Sequence, residues 1–276
     1  MFQRLTIPAL ASVLVLLGAP ATSQEIAAVA APVFRLPEAP FLLSTECQSK
    51  PFAPDKVRHP LKSLSRAVRS KPHVRVLAIG SSSTVGLGAS SPTTTYVARL
   101  EPTLEGALKG IDFGVIGRGM SGEEAQGAAD RMRKEIEDAK PDLLVWQVGT
   151  NDALRHVDLA KFRNCLKTTL AWLAATGIDV VLINPQYGES LVKDAYYEQV
   201  VAAIAGVARQ AGVLLVDRFD AMRELQRERG DRFYLTADNL HMNDVGYRCM
   251  AEQLARAIVG GLVQADADQH QPVFDY

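Results

Sequence analysis

The sequence predicts an α/β fold, a three-layer α/β/α sandwich built on a five-stranded parallel sheet. Five short apolar runs of strand length follow one another along the chain, each separated from the next by a longer amphipathic stretch of helical period. That βαβ rhythm belongs to parallel sheets, whose crossover helices cover both faces. The segments beginning at Gly80, Gly117 and Gly149 each follow an expected strand, so all of them can gather at the sheet's carboxyl edge, where open α/β sheets hold their ligand chemistry.

The strands are expected at 74–79, 111–116, 143–148, 180–183 and 213–216, where Val, Ile and Leu dominate runs too short for helices. Helices are expected at 96–108, 123–139, 159–175, 195–210, 221–229 and 244–259, several of them stopping at a glycine such as Gly177, Gly212 or Gly260. With 47% hydrophobic residues in 276, the chain can bury one sizeable core, and a single domain over 56–263 accounts for it. A net charge of −1 and the lack of a Lys/Arg run exclude a nucleic-acid surface.

Ahead of the domain, Met1-Phe2-Gln3-Arg4 places a positive charge before an apolar run at 5–17, followed by Gly18, Pro20 and the small-residue site Ala21-Thr22-Ser23. This is the pattern of a secretory signal peptide over 1–23. The apolar run is well short of the roughly 20 residues a membrane span needs, so no stable membrane anchor is expected after cleavage. A periplasmic or secreted location follows. Residues 24–55, rich in Ala and Pro, read as an extended or disordered leader, and 264–276 as a polar, frayed tail. Cys47, Cys165 and Cys249 can form at most one internal disulfide. All three pairings are open, as is a set of three buried thiols; a Cys47–Cys249 bridge would tie the leader to the last helix. None has zinc-like spacing.

The chemistry concentrates at strand ends. Gly80-Ser81-Ser82-Ser83-Thr84-Val85-Gly86 exposes serine hydroxyls after the first strand, and Gly117-Arg118-Gly119-Met120-Ser121-Gly122-Glu123 can aim backbone amides after the second. After the third, Gly149-Thr150-Asn151-Asp152 offers the neutral amide of Asn151 as a donor, with Asp152 as a cap or structural acceptor. Just before the last helix, Asp238-Asn239-Leu240-His241 supplies an imidazole and, three residues earlier, a carboxylate that can fix its tautomer. His156 is the one rival histidine, and no partner for it is evident.

In that order, Gly-x-Ser-x-Thr, Gly-x-x-x-Gly, Gly-Thr-Asn-Asp and Asp-x-x-His resemble the SGNH (GDSL-type) hydrolase superfamily over roughly 74–259. The resemblance implies the flavodoxin-like SGNH hydrolase fold. It also implies a catalytic set of Ser82, Asp238 and His241, with an oxyanion hole of the Ser82 and Gly122 amides and the Asn151 side chain. Ser81 stands where the family usually has Asp, which leaves Ser81 and Ser83 as fallback nucleophiles, and Gly117 stands where an Asn commonly precedes the second-block glycine. The expected activity is that of a secreted or periplasmic serine esterase. Its substrate would be a small-molecule or glycan acyl ester, with short-chain or O-acetyl esters of envelope or extracellular glycans preferred, and no cofactor or metal is implied. The alternatives are an acyltransferase, a lipase or thioesterase, and a noncatalytic carbohydrate-binding scaffold protein.

Overall fold

The computed structural model describes residues 36–37, 41–48, 59–230 and 233–270. The expected signal peptide, most of the leader and the end of the tail lie outside the described residues. Strands β1 (His73–Gly80), β2 (Asp112–Gly119), β3 (Leu143–Gln147), β4 (Asp179–Ile183) and β5 (Leu214–Val216) form one sheet in the order β2-β1-β3-β4-β5. Every pairing is parallel, and Val76 lies opposite both Val115 and Leu143. The expected α/β/α sandwich is therefore the observed fold. Around the sheet lie α1 (Lys62–Ser70), α2 (Ser82–Val85), α3 (Tyr96–Ala107), α4 (Ala125–Ala139), α5 (Thr150–Leu154), α6 (Leu159–Thr176), α7 (Ala195–Ala211), α8 (Arg218–Arg229) and α9 (Asp244–His270).

Alternation along β1 divides the core into two. Val74, Val76 and Ala78 pack with Leu64 of α1, Leu100 of α3 and Leu254 of α9. Leu77 and Ile79 face the other way, toward Met132 of α4, Leu166 of α6 and Ile204 of α7. Full burial of one such aliphatic side chain is worth about 1.5–3 kcal/mol, whereas an exposed ion pair is worth about 0–1 kcal/mol. The layers are held by the two apolar faces.

Helices α1, α8 and α9 are among the elements that depart from expectation. Helix α1 has no counterpart in the apolar pattern, and its backbone is anchored from the sheet, because Asp179 at the start of β4 accepts the Leu64 N–H at 2.9 Å. Helix α8 begins at Arg218 rather than at 221, since the Asp217 side chain accepts the Asp220 N–H at 3.0 Å and so caps it earlier. Helix α9 runs through Gly260 and Gly261 to His270, past both the expected helix end and the start of the expected tail. Leu262 and Ala265 are buried, so packing carries the helix onward, and the Gly261 carbonyl accepts the Leu61 N–H at 3.1 Å. Among the described residues no helix is long and apolar enough to cross a membrane.

The part of the leader at 41–48 is held against the domain. Cys47 is joined to Cys249 across 202 positions, while Cys165 is free and buried. Glu252 of α9 accepts from the Ser44 N–H at 2.7 Å, and the Thr45 and Glu46 carbonyls accept from Arg229 at 2.6 Å and from the Tyr234 hydroxyl at 3.3 Å. Closing so long a loop constrains the unfolded chain strongly, so reduction or Cys47→Ser should lower stability by about 2–4 kcal/mol. Urea unfolding with and without dithiothreitol measures it, and the reductant should have no effect on the Ser variant.

Candidate active site

After Gly80 the chain turns at once into the short helix α2, and this turn sorts the three serines. Ser81 is buried, and both its N–H and its hydroxyl donate to Gln147 Oε1, at 2.9 and 3.1 Å. Ser83 is buried as well, its Oγ accepting from Arg218 Nη1 at 3.3 Å. Ser82 lies between them, partly exposed, and its N–H belongs to the first helical turn, which has no acceptor within the helix. The serine that can reach a ligand is thus the one that the register from Gly80 selects.

Strand β2 continues to Gly119, so the first three residues of the expected second turn are strand. The Met120 N–H donates to the Gly80 carbonyl at 2.9 Å and binds this loop to the serine turn. A Cβ on Gly119 would fall 2.4 Å from the Val85 nitrogen, so only glycine lets the strand end touch α2. Gly122 follows, in the short turn closed by the Glu123 N–H to the Met120 carbonyl at 3.1 Å. Asn151, partly exposed in α5, donates one amide hydrogen to the Glu123 carbonyl at 2.8 Å, which fixes its side chain beside this turn and leaves the second hydrogen for a ligand.

Asp152 has the structural role expected of it. It is buried, and its two oxygens accept the Ala125 N–H at 3.0 and 3.2 Å, holding the start of α4. Burial pushes its carboxyl up to about 6, opposed by hydrogen bonds from the Ala125 and Asp152 N–H groups.

The last loop closes on itself. Leu235 bridges to Met242, and the Thr236 N–H donates to the His241 carbonyl at 2.8 Å. Inside it, Asn239 takes φ +57°, a left-handed conformation that Asn tolerates. Asp238 Oδ2 meets His241 Nδ1 at 2.6 Å, and Oδ1 accepts from the Leu240 and His241 N–H groups, both at 3.0 Å, and from the Thr236 hydroxyl at 2.6 Å. Burial raises the Asp238 pKa, but the Thr236 hydroxyl, the imidazole and the two amides outweigh it and hold the carboxyl well below the usual carboxylate range. Its bond to Nδ1 leaves Nε2 of the ring to accept a proton.

This loop folds back on the segment that leaves the serine turn. A Cβ on Gly88 would lie 2.4 Å from the Met242 carbonyl oxygen and 3.1 Å from His241 Cβ. The Tyr247 hydroxyl donates to the Leu87 carbonyl at 2.6 Å, and Asp244 accepts the Ser90 N–H at 2.8 Å. His156 does have a partner, contrary to the sequence reading: its Nε2 lies 2.6 Å from Asp194 Oδ2 and its ring stacks on Tyr196 at 4.7 Å. Asp194 is 38 residues away, so no local spacing could reveal the pair. Gln147, Gln186 and Arg218 were also missed; their one sequence signal is their place just at or beyond the ends of β3, β4 and β5.

A model of the non-GDSL lipase-like family matches residues 47–264. The chain belongs to this family. Within the SGNH superfamily the family name suits the sequence, since Ser81 occupies the place of the GDSL aspartate. This SGNH-type ester hydrolase is 28% identical over 170 residues to the esterase TesA of Pseudomonas aeruginosa, covering 60% of this chain and 78% of that protein. A crystal structure of TesA matches with a TM-score of 0.58 at 25% identity over 67% of this chain and 97% of that one. The lipase/acylhydrolase from Enterococcus faecalis gives 0.59 at 26% over 68% and 96%. The acetyl xylan esterase AlAXEase shares the fold, with a TM-score of 0.56 at 24% identity over 66% and 98%.

The Asp152 carboxyl makes the stability of this hydrolase depend on pH. Its folded value lies above the unfolded one, so the folded state binds more protons between about pH 4 and 6, and stability falls as pH rises through that window. The drop should be about 2–3 kcal/mol. Asp238, shifted downward, acts below this window. Asp152→Asn keeps an oxygen for the Ala125 N–H, and urea unfolding at pH 4.5 and 7.5 should show the variant gaining on the wild type at the higher pH.

Proposed function

We propose that this hydrolase cleaves acyl esters through a covalent acyl-enzyme, with Ser82 as nucleophile, His241 as base and acid, and Asp238 as the group that orients the imidazole. The observation that carries the reading is the 2.6 Å Asp238–His241 pair on a loop packed against the segment leaving the Ser82 turn. His241 Nε2 removes the Ser82 proton as Oγ bonds to the ester carbonyl carbon, and gives it to the departing alcohol oxygen as the C–O bond breaks. Water then repeats the sequence, leaving the carboxylic acid and free Ser82. The Ser82 and Gly122 amides and the second Asn151 hydrogen stabilise the oxyanion in both steps.

For the substrate, the expected export signal points to the periplasm or the exterior, and so to short-chain or O-acetyl esters of envelope or extracellular glycans. A second reading, a lipase or thioesterase with a longer acyl group, is favoured by the exposed Val85 and Leu87 just after Ser82 and by the exposed Met120 on the second loop. Turnover across p-nitrophenyl esters from acetyl to dodecanoyl separates them: a maximum at acetyl supports the first and a maximum beyond octanoyl the second.

Ser82→Ala should abolish hydrolysis and labelling by a fluorophosphonate, and undiminished activity in this variant would falsify the assignment. Asn151→Ala should stay folded and lose about two to three powers of ten in kcat. Asp238→Asn should leave the fold intact and lower kcat by up to about four powers of ten through the wrong imidazole tautomer.

A further inference from the structure

Beneath the candidate site lies a cation that the proposed chemistry does not use. Arg218 is 1% exposed, and the charged-group partners found for it among the described residues are tyrosine hydroxyls rather than carboxylates. Its Nε donates to the Asn184 carbonyl at 3.0 Å, just past the end of β4, and its Nη2 donates to Gln186 Oε1 at 2.9 Å. Its Nη1 faces Ser83 Oγ at 3.3 Å and the sulfurs of Met250 and Met242 at 3.7 and 3.9 Å.

Gln186 extends this reach. Its Oε1 also accepts the Thr150 hydroxyl at 2.9 Å, and its Nε2 donates to the Leu240 carbonyl at 3.0 Å. The contacted residues share one property. Ser83 adjoins Ser82, Thr150 adjoins Asn151, and Leu240 and Met242 stand on either side of His241. One planar guanidinium and one amide therefore touch the immediate neighbour of the nucleophile, of the oxyanion amide and of the base.

We propose that Arg218 and Gln186 form a single positioning unit that sets the placement of Ser82, Asn151 and His241 relative to one another. Ser82 and Asn151 sit in the short helices that follow β1 and β3, His241 sits in the loop between α8 and α9, and the Arg218–Gln186 pair reaches a neighbour of each of the three. The fork geometry of Arg suits it to hold several acceptors in fixed directions, which the single ammonium of Lys does not do. Neither residue touches the substrate in this scheme; both act through their neighbours. The inference rests on the proposed roles of Ser82, Asn151 and His241.

The test measures kcat and KM for p-nitrophenyl acetate in Arg218→Met, Gln186→Ala and the double variant. Each value is normalised to the active sites titrated with a fluorophosphonate, and thermal unfolding is followed in parallel. A loss of alignment should lower kcat per titrated site on the order of 10- to 100-fold, with KM changed by less than about twofold. Because the two side chains act as one unit, the double variant should lose little more than the worse single variant. A purely structural role would lower the unfolding temperature and the number of titrated sites while leaving kcat per site at the wild-type value, and that result overturns the proposal. Losses that simply add in the double variant overturn it too. If Arg218→Met does not fold, Gln186→Ala decides alone by the same criterion, since it removes the Thr150 and Leu240 contacts and leaves the cation in place. Ser82→Ala assayed beside them separates the two readings: activity in that variant sinks the site assignment, whereas an inactive Ser82→Ala with an unimpaired Gln186→Ala sinks only the positioning unit.

Discussion

A guanidinium buried without a carboxylate is the constraint around which the carboxyl edge of this sheet is arranged. Removing a charge from water is costly, and the cost is tolerable only where polar atoms replace the lost hydration. Around Arg218 these are neutral: the Asn184 carbonyl, the Gln186 amide oxygen, the Ser83 hydroxyl and two methionine sulfurs. Burial pulls the guanidinium down to about 10, opposed by the nearby Tyr197, Tyr96 and Tyr247 hydroxyls, so it stays charged at neutral pH. Each of those phenols is in turn pushed upward by its own burial, Tyr96 to about 12. Solvating this one group draws together residues from the loops after β1 and β4 and from the histidine loop, and through Gln186 it reaches the loop after β3.

Close approach of these loops then depends on what is missing as much as on what is present. Glycine at 119 lets the end of β2 rest on the α2 backbone, and glycine at 88 lets the histidine loop lie against the chain that leaves α2. A methyl group at either place would meet backbone atoms at 2.4 Å, and backbone atoms that belong to packed elements cannot retreat cheaply. The histidine loop is braced from behind as well, since the Tyr234 carbonyl accepts the Asn243 N–H at 2.9 Å while the Tyr234 hydroxyl reaches the leader segment that the Cys47–Cys249 bridge secures. The leader segment, the last helix and the histidine loop are thus mechanically connected.

How much of this can be read in the sequence depends on the range of the interaction. The five strands are visible because a parallel strand buried on both faces is a continuous apolar run, as in Leu143-Leu144-Val145-Trp146, and the glycines at their ends mark the turns. Ser82, Asn151, Asp238 and His241 are visible because short motifs carry them. The end of α9 is not legible, since Gly260-Gly261 looks like a stop, whereas the buried Leu262 and Ala265 beyond it keep the helix on the core. Arg218 is invisible because an arginine in a sequence reads as surface, and nothing in Asp217-Arg218-Phe219 says that its acceptors lie at 83, 184 and 186. Partnerships across the sheet edge leave no local trace.

Replacement of the GDSL aspartate by Ser81 fits the same electrostatic frame. Position 81 is 4% exposed, and its N–H and hydroxyl converge on one acceptor, Gln147 Oε1, with both groups neutral. The Gln147 Nε2 is buried with no partner among the described residues, so the amide is committed to receiving at this point rather than bridging. A carboxylate at 81 would set oxygen against oxygen unless the amide reversed, and it would add a buried negative charge next to Ser82. In the proposed mechanism, negative charge there would oppose the oxyanion assigned to the Ser82, Gly122 and Asn151 donors. The Ser81–Gln147 brace holds the turn with neutral hydrogen bonds and Ser83 on the same turn faces the Arg218 cation, so in the proposed mechanism neither competes with the developing anion.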